Sequence, residues 1–197
     1  MLLLGISIQF QTIQRHRMLN KQNGNRVILR ALEPADLEIL YDWENDREIW
    51  RVSNTLVPFS RYILQKYIEN SHLDIYETKQ LRLMIDLVDS NEKQITIGAV
   101  DLFDFDPYHM RAGIGILIGE KKLRNKGLAI ASLSEIIKYS FEILQLHQLY
   151  ANITIDNKIS QHIFQKAGFT FTGIKKDWIK IPGGYINENF YQLINPV

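Results

Sequence analysis

The sequence predicts a mixed α/β (α+β) fold in one piece, on three observations. Short runs rich in β-branched residues alternate with stretches of helical period. One such run, 111–119, alternates strictly with period two and is followed at once by a long helical stripe. Nothing reads as a linker, because the chain has no internal repeat, no low-complexity tract and no Pro/Gly/Ser-rich divide. At 197 residues, area scaling lets about 70% of the chain's surface be buried on folding, enough for an unaided core.

Residues 1–25 are expected to form a loosely ordered N-terminal extension, and 26–197 a single domain. The opening Met1-Leu2-Leu3-Leu4-Gly5 lacks the basic flank and small-residue cleavage site of a secretory signal, and Met18 is an alternative start. The first strand is Arg26–Leu32. Pro34 then suits the first turn of a helix with Leu37, Leu40, Tyr41 and Glu44 on one face. A second helix spans 60–71, with Ile63, Lys66, Tyr67 and Asn70 in register. Strands at 82–88 and 94–103 flank the polar link Asp89-Ser90-Asn91-Glu92-Lys93.

In the fourth strand, 111–119, Ala112, Ile114, Ile116 and Ile118 face one way, and Gly113, Gly115, Leu117 and Gly119 the other. Glycine weakens a strand unless something approaches its backbone, so the nearly bare face implies a bulge or a ligand. A helix follows over 126–144, with Leu133, Ile136, Ile137, Ser140, Phe141 and Leu144 as its stripe. Then come a strand at 148–155, a short helix at 157–167 closed by Gly168, and a last antiparallel pair, 169–181 and 185–194.

Composition narrows the function. No cysteine is present, which excludes disulfides, iron–sulfur clusters and thiolate chemistry and fits a cytoplasmic location. Lys+Arg 23 against Asp+Glu 22 leaves a net charge of +1, so no nucleic-acid or membrane partner is expected. No apolar run approaches a bilayer span. The five histidines show no metal-ligand spacing, and no metal is implied.

Two segments carry chemistry. Arg124-Asn125-Lys126-Gly127-Leu128-Ala129 lies between the glycine-faced strand and the long helix. Free N–H groups, the positive end of the helix dipole and two basic side chains would there receive a pyrophosphate, although a solvated basic turn has the same composition. Asn157 to Phe169 reads as a short helix ended by glycine, with Asn157 either capping it or reaching a ligand.

These segments, in this order and with strands between them, resemble the GNAT superfamily of acetyl-CoA-dependent N-acetyltransferases over roughly 26–194. Tyr108–Ala112 and Gly183-Gly184-Tyr185 resemble its branch of spermidine and ribosomal-protein N-terminal acetyltransferases. The resemblance implies a mostly antiparallel mixed sheet of six to seven strands, splayed between the fourth and fifth, with about four helices. It implies acetyl-CoA as co-substrate, its pantetheine arm along Ile116, Leu117 and Ile118. The pyrophosphate would lie on Arg124, Asn125, Lys126, Gly127, Leu128 and Ala129. Asn157, Ser160 and Phe164 would border the thiol end. The partners expected are acetyl-CoA and an amine acceptor, and a homo-oligomer is allowed.

Two positions depart from the family. Phe164 stands where polyamine-acetylating relatives carry tyrosine, and Gly113 where many carry glutamate. A side-chain amine of pKa near 10.4 is neutral only about 0.04% of the time at pH 7, a demand of about 4.6 kcal/mol, whereas a thiolate leaves readily. A missing acid therefore costs less than a missing base. The candidate bases are Asp101, Asp104, His109 and Glu188. Trp43, Trp50, Phe59, Phe103, Phe105 and Tyr108 are candidates for a substrate groove. The segment 45–60 holds only Asp46 and Glu48 against Arg47 and Arg51, too few carboxylates for a polycation. The function expected is acetyl transfer to a primary amine, on a peptide N-terminus, a small molecule or a polyamine, by direct attack on the thioester. The alternative is an acyl-CoA-binding module without catalysis.

Overall fold

The computed structural model describes residues 26–53 and 55–196, less the side chains of Arg51 and Val52. The expected extension at 1–25 and the alternative start at Met18 lie outside the described residues. Seven strands, β1 (Arg26–Arg30), β2 (Leu81–Val88), β3 (Gln94–Asp106), β4 (Arg111–Ile118), β5 (Gln148–Thr154), β6 (Thr170–Ile181) and β7 (Gly184–Ile194), form one sheet. Its order is β1-β2-β3-β4-β5-β7-β6. Every neighbouring pair is antiparallel except β4–β5.

Six α-helices occur among the described residues, against the four or so expected. They are α1 (Leu37–Glu44), α2 (Arg47–Ser53), α3 (Arg61–Glu69), α4 (Ile75–Thr78), α5 (Leu128–Glu142) and α6 (Lys158–Lys166). The two unforeseen ones, α2 and α4, are too short for a periodic stripe. Each starts at an aspartate whose carboxylate accepts main-chain N–H groups, Asp46 from Glu48 and Asp74 from Tyr76 and Glu77.

Each sheet face has its own apolar layer. The first packs α5 through Leu133 and Ile136 with Leu83, Ile85, Val100, Ala112 and Leu149. The second gathers Leu40, Leu64 and Ile68 with Met84 and Ala99. The α3 face differs from the expected register: Leu64 and Ile68 are buried and Tyr67 partly so, while Ile63, Lys66 and Asn70 are exposed. Burying Leu64 and Ile68 removes two apolar side chains from water, whereas the predicted face would bury a lysine.

Charge also enters the interior. Arg30 donates to Asp86 at 2.6 Å, to both oxygens of Asp36 at 2.7 Å and to Thr96 at 3.0 Å. Asp36 and Asp86 are both buried. Burial opposes ionisation of Asp36, but bonds from Arg30 and the Glu33 N–H outweigh it and hold the carboxyl below the usual range.

Of the two expectations for the glycine face, the bulge is not on β4, and Gly115 lies open while Gly113 and, just past the strand, Gly119 are closely covered. A Cβ on Gly113 would lie 2.2 Å from the Phe103 ring, and one on Gly119 2.2 Å from Trp43. The groups that approach the backbone there are aromatic rings of the chain itself. The irregularity lies instead on β3, whose register with β4 slips between Phe103 and Asp106.

Candidate active site

The site arises where two parallel strands part. β4 and β5 pair only at Arg111–Gln148, Ala112–Leu149 and Gly113–Tyr150. Beyond Gly113 that edge of β4 loses its ladder partner, and a cleft of about 550 Å³ opens. Ile114 to Leu117 of β4 and Ala151 to Thr154 of β5 line its two sides. Asn157, the N-cap of α6, with Ser160 and Phe164 of that helix, and Trp43, Arg82, Asp101 and Phe103 also line it.

At the head of α5 the loop takes an anion-receptive form. Asn125 (φ 62°) and Gly127 (φ 75°) are both left-handed, and Gly127, the N-cap, offers no side chain to the free N–H groups of the first turn. Arg124 donates Nε–H to the Ile118 carbonyl at 2.9 Å, tying the loop to the end of β4. Lys121 holds Asp46 at 3.1 Å and Glu48 at 2.7 Å, which binds the loop to the α1–α2 corner. Those two carboxylates are thereby spent on a structural contact. An uncapped helix start beside an unpaired strand edge fits an extended thioester that ends in phosphates.

Two charge clusters face the cleft. Arg82 holds both oxygens of Asp101, at 2.6 and 3.0 Å, and reaches Glu44 at 2.5 Å. Burial would lower the guanidinium pKa, but the neighbouring Asp101 and Glu44 carboxylates raise it above its ordinary value. On the opposite wall, buried Glu188 accepts from Lys175 Nζ at 3.0 Å, and Asn152 Oδ1 from the same nitrogen at 2.8 Å. Among the described side chains that line the cleft, three carboxylates stand against two cations. Phe103, Tyr150 and Phe190 form a run of rings beneath, centroids 6.1 and 5.5 Å apart. Burial, with Asp104 close by, pushes the Tyr150 phenol up to about 12.

Of the expected cofactor residues, the cleft gathers Ile116, Leu117, Asn157, Ser160 and Phe164. Ile118 and the 124–129 loop adjoin it without lining it. Asn157 caps α6, its Oδ1 accepting the Ser160 N–H at 3.1 Å, which leaves its amide NH2 for a ligand. Phe164 is buried edge-on against Phe169, at 5.1 Å.

Among the candidate bases, Asp101 and Glu188 line the cleft and the other two do not. His109 is exposed in the β3–β4 turn, at the end where β4 and β5 are still paired. Asp104 is exposed beside the Tyr150 hydroxyl, 3.4 Å away. Of the aromatics, Trp43 and Phe103 reach the cleft. Phe105 is buried in the layer that carries α5, Phe59 packs on the other layer, and Trp50 donates to the Glu44 carbonyl. Tyr108 is exposed. Sequence reasoning missed Arg82, Asn152, Lys175 and Trp178. The signal for Arg82 was a lone cation in the apolar run LRLMIDLV, since a charge there needs a partner.

A sheet split between parallel strands, with an uncapped helix start at the mouth of the split, is the architecture of an acyl-CoA-dependent transferase. The chain belongs to the GNAT acetyltransferase family: the acetyltransferase (GNAT) domain model matches residues 26–170. It is 27% identical over 165 residues to spermidine N(1)-acetyltransferase of Vibrio cholerae, covering 82% of this chain and 89% of that protein. An N-acetyltransferase 9-like protein of Nematostella vectensis is 26% identical over 178 residues, 86% and 87% of the two chains. The crystal structure of the Vibrio cholerae spermidine N-acetyltransferase with CoA and spermine superposes with a TM-score of 0.74 at 25% identity, covering 85% of this chain and 95% of that one. The chain is thus an N-acetyltransferase that uses acetyl-CoA and acetylates an amine. Among the described residues no helix is long and apolar enough to cross a membrane, and no cluster of His, Asp and Glu could hold a metal ion.

Proposed function

We propose that the acceptor is a primary amine bearing a single positive charge, with a peptide α-amino group preferred over a polyamine, and that Glu188 takes its proton. The carrying observation is the cleft itself, whose carboxylates are each already met by a fixed cation. The amine nitrogen attacks the thioester carbonyl, the N–C bond forms as the C–S bond breaks, and the nitrogen's proton passes to Glu188 directly or through water. Asp101 suits that role less, because Arg82 engages both of its oxygens, whereas only Oε2 of Glu188 is held among the described residues. A peptide amine of pKa near 7.7–8.0 is already substantially neutral at pH 7.5, so its demand on the base is small.

Titration calorimetry with acetyl-CoA, followed by thiol release with a panel of amines, tests this reading. We expect Glu188→Gln to lower kcat by about 10²-fold or more with alkylamines and distinctly less with short peptides. Equal losses with both, or a kcat/KM for spermidine ten times that of every peptide, would overturn it.

A further inference from the structure

Resting on that reading of the acceptor, we propose that Lys175 fills a ready-made ammonium subsite in the acceptor wall and so excludes a second positive charge. Its Nζ receives everything a substrate ammonium would ask for. Glu188 Oε2 lies at 3.0 Å and Asn152 Oδ1 at 2.8 Å. The Trp178 and Phe190 rings lie with centroids at 5.1 and 5.6 Å, within the reach of a cation–π contact. A carboxylate, an amide oxygen and two ring faces make a cation box, here occupied by the chain's own lysine.

The box is made by a local device on β6. Register with β7 slips between Lys175 and Ile179, with Asp177 left-handed (φ 48°) and its N–H held by Asn187 Oδ1 at 2.9 Å. Such bulges re-aim side chains. This one turns Trp178 to line the cleft beside Lys175, three residues before it. The lysine side chain is 30% exposed and Glu188 7%, and both line the cleft, so the ammonium is presented to the cleft on the Oε2 side of the carboxylate. An acceptor with two ammonium groups would therefore present its second charge to a fixed cation, while Arg82 guards the other pair of carboxylates.

The test compares 1,4-diaminobutane with n-butylamine as acceptors for the wild type, Lys175→Ala and Lys175→Arg. We expect the diamine-to-monoamine ratio of kcat/KM to rise about tenfold or more in Lys175→Ala, and to stay at the wild-type value in Lys175→Arg. By calorimetry, n-propylammonium should bind Lys175→Ala and not the wild type. Lys175→Met serves as the second variant if the alanine form does not fold by its circular-dichroism melt. A ratio that stays within about twofold in a folded charge-free variant, with no propylammonium binding, overturns the proposal. If neither form acetylates any amine, the acceptor reading fails while the calorimetric arm still decides the subsite.

Discussion

At the scale of single residues, Phe103 and Gly113 make one interaction from two chemistries. The ring fills the space a side chain would need, so Gly113→Ala forces a Cβ to 2.2 Å from it. Overpacking of this kind should cost about 1–3 kcal/mol, read as a lower urea midpoint with an unchanged slope. The same ring occupies the space that a longer side chain at 113 would need. Phe164 was legible as a missing hydroxyl, but only the fold shows it edge-on against Phe169. Phe164→Tyr should raise the steady-state rate by no more than a few-fold, since a thiolate leaves without much help. A gain above about a hundredfold, the low end of general-acid effects, would show that acid catalysis limits this enzyme. Glu188 was among the sequence candidates, but its partner was not. Lys175 is 13 residues away in sequence and meets it only through the β6–β7 ladder.

At the scale of elements, legibility followed length and period. β4 and α5 could be read because eight and fifteen residues hold a clean repeat. The stripe of α3 was misread by one position, because which of two apolar rows turns inward depends on the layer below it. Between β4 and α5, Gly127 takes a left-handed conformation and leaves the helix start uncapped. Gly127→Asp would put a negative charge where phosphates are expected, and Arg124→Ala removes both a cation and the anchor on Ile118. Each should weaken acetyl-CoA binding by about tenfold or more in calorimetry, with a smaller effect on Tm. Unchanged affinity in both would move the pyrophosphate site elsewhere.

At the scale of the whole molecule, two features have consequences beyond the cleft. The Arg30–Asp36–Asp86 cluster joins three strands to the entry of α1. Because the Asp36 carboxyl titrates below its ordinary value of 3.8 in the folded state, its stabilisation is present above that value and is lost as pH falls through the lower folded one. Acid unfolding should therefore show a step below about pH 4 that Asp36→Asn removes, measured by circular dichroism across pH. Second, among the described residues β6 is an edge strand of twelve residues that leaves Phe171, Ile174, Trp178 and Ile181 exposed. Long apolar edges of this kind pair with other chains, so light scattering on the eluting protein should give a mass above the monomer. A monomer at all concentrations would count against it. The sequence by itself determined the strands, the long helices, the order strand, basic loop and helix over 111–144, and the family, because period, glycine placement and motif spacing are local properties of the chain. The tertiary structure alone decided which charges meet, where β4 and β5 part and that Lys175 pairs with Glu188. Those contacts join residues far apart in sequence, and no local pattern fixes their register.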